Sequence, residues 1–225
     1  MLNYAVTAQS KGADECVTRC EVADIFMPYV KAGAKVSDDY FKYQGVIFSG
    51  KYGYVINKNC IGRIMVDDRI LPMQPLLWTE DGEEGECIEA PSEAILDIRK
   101  SSFSLKDCPL VSLRTKDLLC LVRDLTPKRE SKSIVTLSIQ DETVLGRTLR
   151  KNEIIAEKNF LAFKNHGFQG EIRISLFDFK KMLLEIFSDY DIIGVQSSEK
   201  QTVFYGKRLD RKKPSIDFLI RGGEK

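Results

Sequence analysis

A strand, helix, strand pattern that recurs in the second half of the chain constrains its fold more than any other feature. The segment EIRISLFDFKKMLLEIFSDYDIIGVQ, residues 171–196, opens as a strand, runs into a short amphipathic helix and leaves as another strand. Ser175 is placed to cap that helix, with Asp178 three residues later. Five apolar side chains recur at the spacing of one buried helix face: Phe179, Met182, Leu183, Ile186 and Phe187. The pattern predicts a helix that packs on a sheet through one side.

A second copy of the pattern precedes the first by about 60 residues. In LVSLRTKDLLCLVRDLTPK, residues 110–128, a short strand leads to a helix that starts near Thr115 and ends before Pro127. Each helix is followed by segments that read as antiparallel strands, SIVTLSIQDETVLGRTL after the earlier helix and DIIGVQSSEKQTVFYGKRL after the later one. The two units share the order of their strands and helix, and their amino-acid sequences differ.

The first half of the chain holds a weaker version of the same plan. Apolar spacing predicts a helix over residues 17–33, and residues 43–68 alternate like two or three antiparallel strands. The acidic segment 79–93 reads as a loop or connector, and residues 76–110 have room for a degenerate fourth unit. We therefore predict an α+β fold with helices on one face of antiparallel sheets, in two domains, 1–108 and 109–225.

Composition and motifs argue against most enzyme classes. The phosphate-binding pattern G-x-x-x-x-G-K-[ST] and the dinucleotide pattern G-x-G-x-x-G are both absent from the 225 residues. The single histidine, His166, leaves a Ser or Cys nucleophile open as a catalytic alternative, with Cys60 and Cys120 as the suspects, and a loop role suits it better. Cys16 and Cys20 lack the second ligand pair of a closed zinc site. We expect no cofactor and no metal.

Net charge and hydropathy bound the partners and the location. The 34 basic and 33 acidic residues nearly cancel, so attraction to a polyanion has to come from local patches. No window approaches the roughly 18 apolar residues of a membrane span, and no signal-peptide pattern opens the chain. With six scattered cysteines, these features favour a cytoplasmic protein with reduced thiols.

Basic residues on and after the predicted helices are candidates for contacts with phosphates. Neighbouring acidic residues dilute their field, so the same residues also fit an ordinary solvated helix face. The candidate DNA-binding residues are Lys116, Arg123, Lys128, Arg129, Lys180 and Lys181.

The repeated unit resembles that of the DNA polymerase sliding clamps, the ring-shaped processivity factors of replication. The likeness rests on EIRISLFDFKKMLLEIFSDYDIIGVQ, on VSLRTKDLLCLVRDL and on GVIFSGKYGYVINKNCIGRIMV, which is similar to the hairpin after the first helix of a clamp domain. In that family each domain has two such units, with helices lining a central hole and sheets forming the outer wall. Two-domain clamps close as trimers, and three-domain bacterial clamps close as dimers.

The resemblance implies a non-enzymatic protein that encircles double-stranded DNA without reading its sequence. It implies a homo-oligomer, with a trimer favoured, a DNA polymerase as partner, a clamp loader in some systems, and a cytoplasmic or nucleoid-associated location. Clamps also offer an apolar pocket on the outer face to short partner peptides. The alternative from another class is an α+β assembly or adaptor protein, of viral origin for instance, that binds protein partners without nucleic acid.

Overall fold

The computed structural model describes residues 18–34, 43–66, 74–81, 84–105, 107–124, 133–207 and 215–221. Within these residues the helices predicted near 22, 115 and 176 are confirmed, and a fourth lies between the first two. No described helix is both long and apolar enough to cross a membrane. The helices are α1 Arg19–Ala34, α2 Ser92–Lys100, α3 Thr115–Asp124 and α4 Leu176–Lys181, which continues as a π-helical segment, Met182–Ile186.

The strands of the described residues form two antiparallel sheets. The larger sheet contains β1 Val46–Ser49, β2 Tyr52–Ile56, β3 Cys60–Met65, β4 Leu76–Asp81, β5 Glu84–Glu89, β6 Leu110–Arg114, β10 Lys164–His166, β12 Ile192–Ser197, β13 Gln201–Lys207 and β14 Ile216–Arg221. The smaller sheet contains β7 Ser133–Gln140, β8 Thr143–Arg150, β9 Glu153–Leu161 and β11 Gly170–Ser175. The strand orders are β10-β6-β12-β13-β14-β3-β2-β1-β4-β5 and β11-β7-β8-β9. The predicted α+β class is confirmed.

Tight turns set the register of the hairpins. Between β8 and β9, Lys151 and Asn152 have φ angles of 50° and 65°, the left-handed pair that a two-residue type I′ turn requires. Gly50, with φ of 58°, takes the same region between β1 and β2, where a side chain would be strained. These turns match the right-handed twist of the strands they join, so they fix which residues of each hairpin face each other.

The two units of the second half are interlocked. The first strand of the earlier unit, β6, pairs with β12 of the later unit. The first strand of the later unit, β11, pairs with β7 of the earlier unit. Each unit thus completes the sheet of the other, and neither forms a full sheet alone.

One strand pair joins the first half of the chain to the second. In β14, residues 216–220 pair antiparallel with residues 60–64 of β3. Because β3 belongs to the first half and β14 is the last described strand, this pairing makes a single sheet of both halves. The division at residue 108 stays a prediction, since β6, the first strand after it, belongs to the same sheet.

The region from 76 to 100 differs from the prediction. Residues 79–93 were expected to form a loop, but β4 and β5 make a hairpin there and α2 follows it. The order strand, strand, helix also differs from the degenerate fourth unit that was expected. The acidic strand β5 lies at an edge of the sheet, where hydrogen bonds to β4 hold it.

Side chains alternate between the two faces of the larger sheet. Val55 and Phe218 point into a core shared with α1, α3 and α4, which we call the helical face. Their strand neighbours Ile56 and Leu219 point to the opposite face, where Ala94 of α2 packs over them. Three helices therefore lie on one side of the sheet and one helix on the other.

Phe218 of β14 stands at the centre of the helical-face core. Its ring lies edge-on to Tyr29 of α1, with centroids 5.4 Å apart, and edge-on to Phe187, with centroids 6.4 Å apart. A Cβ added at Gly62 of β3 would lie 2.9 Å from the same ring, so only glycine fits beneath it. Phe218 connects both halves of the chain and is itself fully buried.

We expect Phe218→Ala to lower the free energy of unfolding by about 3–5 kcal/mol, because it leaves a cavity where both halves meet. Urea denaturation followed by circular dichroism measures this loss. Phe163→Ala is the matched control, since that ring is 48% exposed and its removal costs about 1 kcal/mol. Equal losses in the two variants would contradict the central place of Phe218.

Candidate nucleic-acid interface

The helical face is built from α1, α3 and α4 on the same side of the larger sheet, and both α1 and α3 contact α4 and its π-helical segment. The helix α4 begins as predicted, since the Ser175 hydroxyl accepts a hydrogen bond from the Asp178 backbone N–H at 3.4 Å. All five apolar residues predicted for its buried stripe are buried. The polar sides of the three helices are what this face offers to a partner.

The structure places the predicted DNA-binding residues unevenly. Lys116 is exposed in the first turn of α3, and Lys180 and Lys181 lie half-buried at the end of α4. Arg123 belongs to α3, and its side chain is not described. Lys128 and Arg129 fall outside the described residues. Three of the six are therefore placed on neighbouring helices, and the DNA-binding role of all six stays a prediction.

The charges of the three helices balance. Each of α1, α3 and α4 with its π-helical segment contains two basic and two acidic residues, which gives six of each. Opposite charges at such spacing cancel beyond a Debye length of about 8 Å at physiological salt. The helical face therefore has weak long-range attraction for DNA, and local contacts with phosphates have to act at short range.

One of these acidic groups is used inside the protein. Asp178 is 3% exposed, and its carboxylate accepts a hydrogen bond from Asn59 Nδ2 at 3.3 Å. Asn59 is in the turn between β2 and β3, whereas Asp178 is on α4. This contact ties the helix of the second half to the hairpin of the first half, and it turns the Asp178 carboxylate toward the interior.

A buried asparagine organises the same turn. Asn57 Oδ1 accepts hydrogen bonds from the backbone N–H groups of Asn59 and Cys60, at 2.8 and 2.6 Å. Its Nδ2 donates to the Tyr29 hydroxyl of α1 at 2.9 Å. All of these groups are satisfied by one another, as buried polar groups require. The sequence gives Asn57 a turn role but no sign of its bond to α1, 28 positions earlier.

The catalytic alternative with Cys60 is not assembled. His166 is exposed on β10 at one edge of the larger sheet, and Cys60 is buried on β3, five strands away. At about 4.8 Å per strand the two are about 24 Å apart. Cys120 is exposed on α3, and within the described part of the chain no hydrogen bond joins it to His166.

The zinc alternative gains no support from the described residues. They contain no group of three or more His, Cys, Asp or Glu side chains that could hold a metal ion. Cys20 is exposed on α1, and Cys16 lies outside the described residues.

A second surface feature lies on the opposite face. The Arg63 guanidinium stacks between the rings of Phe103 and Tyr52, at 4.2 and 4.7 Å from their centroids, and its Nη2 lies 2.7 Å from Asp217 Oδ2. The Tyr205 hydroxyl donates to the Phe103 carbonyl at 3.0 Å. These contacts hold the segment after α2 across β3 and β14, where the two halves of the chain meet.

Burial raises the pKa of the Cys60 thiol well above its usual range, with a further contribution from the Asp178 carboxylate. The folded protein therefore holds this thiol neutral, and its stability falls as the pH rises past about 9, where the unfolded chain releases the proton.

We expect Cys60 to resist a thiol reagent at pH 8 in the folded state, because the thiolate is the reactive form. The exposed Cys20, Cys87 and Cys120 react under the same conditions. Titration with Ellman's reagent, before and after addition of guanidinium chloride, counts the reactive thiols of the folded and of the unfolded protein. In Cys60→Ala the number of reactive thiols stays the same in the folded protein and falls by one in the unfolded protein. A lower number in the folded variant would contradict the burial of Cys60.

The comparisons with known proteins give one consistent result. No family model matches the chain, and no curated protein matches it. Solved structures do match: the DNA polymerase III subunit beta from Pseudomonas aeruginosa has a TM-score of 0.63 at 9% identity over 99% of this chain and 69% of that one. The beta subunit from Streptococcus pyogenes has a TM-score of 0.62 at 9% identity, with the same coverage. A sliding clamp from Bartonella birtlesii has a TM-score of 0.63 at 10% identity over 97% of this chain and 68% of that one.

These similarities confirm the predicted resemblance at the level of the fold. The chain has the α+β fold of the DNA sliding clamps, and nearly all of its length takes part in the match. With identities of 8 to 10%, the match shows the shape of the molecule and not the chemistry of its surface.

Proposed function

We propose that this protein is a non-enzymatic DNA sliding clamp, which tethers a DNA polymerase to its template as a homo-oligomeric ring. The proposal rests on one observation: α1, α3 and α4 lie together on one face of a sheet that continues through both halves of the chain, in a fold that matches bacterial clamps over 97 to 99% of its length. This arrangement fits the wall of a ring in which the helices line the central hole and the sheet lies outside them.

The charge balance of the helices fits a mechanism of enclosure. A protein that holds DNA by affinity needs many uncompensated Lys and Arg side chains, and its binding falls steeply with salt. A closed ring stays on DNA because it cannot leave sideways, so a few weak phosphate contacts are sufficient and sliding stays easy. Lys116, Lys180 and Lys181, with Arg123, Lys128 and Arg129, are the proposed contacts.

Ring closure is proposed to use β9, the long edge strand of the smaller sheet. It spans nine residues, and β8 is its single partner among the strands of the described residues. Ile154 and Leu161 on it are 55% and 63% exposed. Ile155 has no residue opposite it on β8, because the register shifts there as in a β-bulge. A strand with unpaired backbone groups and apolar side chains is suited to pairing with another chain. The proposed partner is an edge strand of the next copy.

The remaining parts of the proposal follow from the same resemblance. The chain is divided as 1–108 and 109–225, assembles as a trimer, and works in the cytoplasm or on the nucleoid. Its partners are double-stranded DNA, a DNA polymerase and, where one exists, a clamp loader. The match to about two thirds of a bacterial subunit supports the two-domain size, because bacterial clamps have three domains.

The second candidate is an α+β adaptor that binds proteins and no nucleic acid. The observation that favours it is the equal number of acidic and basic residues on the three helices. An adaptor of this kind needs no closed ring, so solution mass and behaviour on circular DNA separate the two candidates.

We expect light scattering to give a closed oligomer, with a trimer at three times 25.6 kDa. Loaded on nicked circular DNA, the protein stays bound during gel filtration, and cutting the circle releases it, because a linear molecule has ends from which a ring slides. A stable monomer that does not bind circular DNA would contradict the clamp proposal and favour the adaptor.

We expect the triple variant Lys116→Glu, Lys180→Glu and Lys181→Glu to shorten the retention time on nicked circles about tenfold or more, because it replaces attraction to phosphates by repulsion. The matched control reverses the same number of charges at exposed residues elsewhere: Arg99→Glu, Lys100→Glu and Lys200→Glu. Light scattering first has to show that both variants keep the solution mass of the wild type, so that retention is compared between equal oligomers. Equal retention times of the two variants would contradict the proposed contacts of these lysines with DNA.

A further inference from the structure

A cavity of about 370 Å³ opens where β6 ends and α3 begins. Its other wall is the turn from α4 into β12, represented by Ser188 and Asp191. This volume lies near the lower end of the range for small-ligand sites, about 300–1,000 Å³. None of the roles proposed for the helical face or for β9 requires this cavity.

The cavity is suited to an anion. Arg114 and Lys116 line it, both are exposed, and Asp191 is the only acidic residue among those that line it, which leaves a net charge of +1. The first turn of α3 adds backbone N–H groups that have no acceptor within the helix, together with the positive end of the helix dipole. At ten residues, α3 is long enough for its peptide dipoles to add along the helix.

A buried hydroxyl in the same wall has no partner. Thr115 is 2% exposed and lines the cavity, yet its Oγ1 has no hydrogen bond, although the position is that of a helix cap. Its backbone N–H is already used, since it donates to the Asp191 carbonyl at 3.0 Å. The hydroxyl oxygen itself is closed off from the cavity, so a ligand bound there does not reach it.

An aromatic ring completes the site. Phe163 lies in the connection between β9 and β10 and is 48% exposed, and the Arg114 Cζ atom lies 5.7 Å from its ring centroid. Its backbone N–H donates to the Ser112 carbonyl of β6 at 2.8 Å, which holds the main chain at Phe163 against β6. An exposed ring beside two cations is the combination that stacks an unpaired base next to its phosphate.

We propose that this cavity binds single-stranded DNA, with one backbone phosphate at the start of α3 between Arg114 and Lys116 and the adjacent base against Phe163. A duplex does not fit this description, because its bases are stacked on each other and leave no face for Phe163. The site therefore differs from the proposed duplex contacts, although Lys116 takes part in both. It does not depend on ring closure.

Fluorescence anisotropy with a labelled oligo(dT) of about eight nucleotides tests the site, because so short a strand cannot be enclosed. Wild-type protein binds it, and both Arg114→Gln and Phe163→Ala weaken the binding about tenfold. For Arg114→Gln the slope of log K against log salt also falls in magnitude by about 0.7, the value for one single-strand phosphate. Phe163→Ala leaves that slope unchanged, since it removes a base contact.

Lys200→Gln is the matched control. It also removes one exposed positive charge, but it lies in the turn after β12, at the far end of that strand from the cavity. The expected result is wild-type affinity. Binding that is absent in the wild type, or equally weakened by Lys200→Gln and Arg114→Gln, overturns the proposal.

The outcome is independent of the clamp proposal. A protein that stays on nicked circles but ignores oligo(dT) is a clamp without this site. A protein that binds oligo(dT) through Arg114 and Phe163 but is not retained on circles has the site without the ring.

Discussion

The pairing of β3 with β14 is the interaction on which the rest of the structure depends. It joins residues 60–64 to residues 216–220 through the backbone, and so turns two partial sheets into one. The apolar side chains of β14 meet those of α1 and of the π-helical segment on one side, and the segment after α2 on the other. Without this pair, only helix packing and the hydrogen bond from Asn59 to Asp178 would hold α1 against α4, and no continuous sheet would lie beneath the helical face.

The helices that could be predicted from the sequence are those with one buried side. Val22, Phe26 and Val30 on α1, like Phe179 and its neighbours on α4, alternate with polar residues at helical spacing because one side packs and the other does not. The hairpin of β4 and β5 has no such signal. Half of β5 is Glu and one of its residues is Gly85, residue types that also favour loops, and the sequence does not show the backbone hydrogen bonds that hold the strand to β4.

The sites show a similar division. Periodicity placed Lys116, Lys180 and Lys181 on helices, since each lies beside an apolar stripe that identifies its helix. It could not show that Asp178 turns inward, because that depends on Asn59 from a distant hairpin. The cavity at the start of α3 was missed for the same reason: Phe163 and Asp191 reach it from parts of the chain that pair with β6 only in the folded molecule. Spacing reports on neighbours along one element, and these sites are made between elements.

The strand order has a consequence for the synthesis of the chain. The edge of β3 that receives β14 is translated about 150 residues before its partner, a delay of about 10–30 s at ordinary elongation rates. During that interval the ribosome-bound first half presents an open row of backbone donors and acceptors beside Ile61 and Ile64, and β6 also waits for β12. A nascent chain of this design depends on β14 being translated before another strand pairs with the open edge, so crowded polysomes and slow codons between those for β3 and those for β14 favour misassembly.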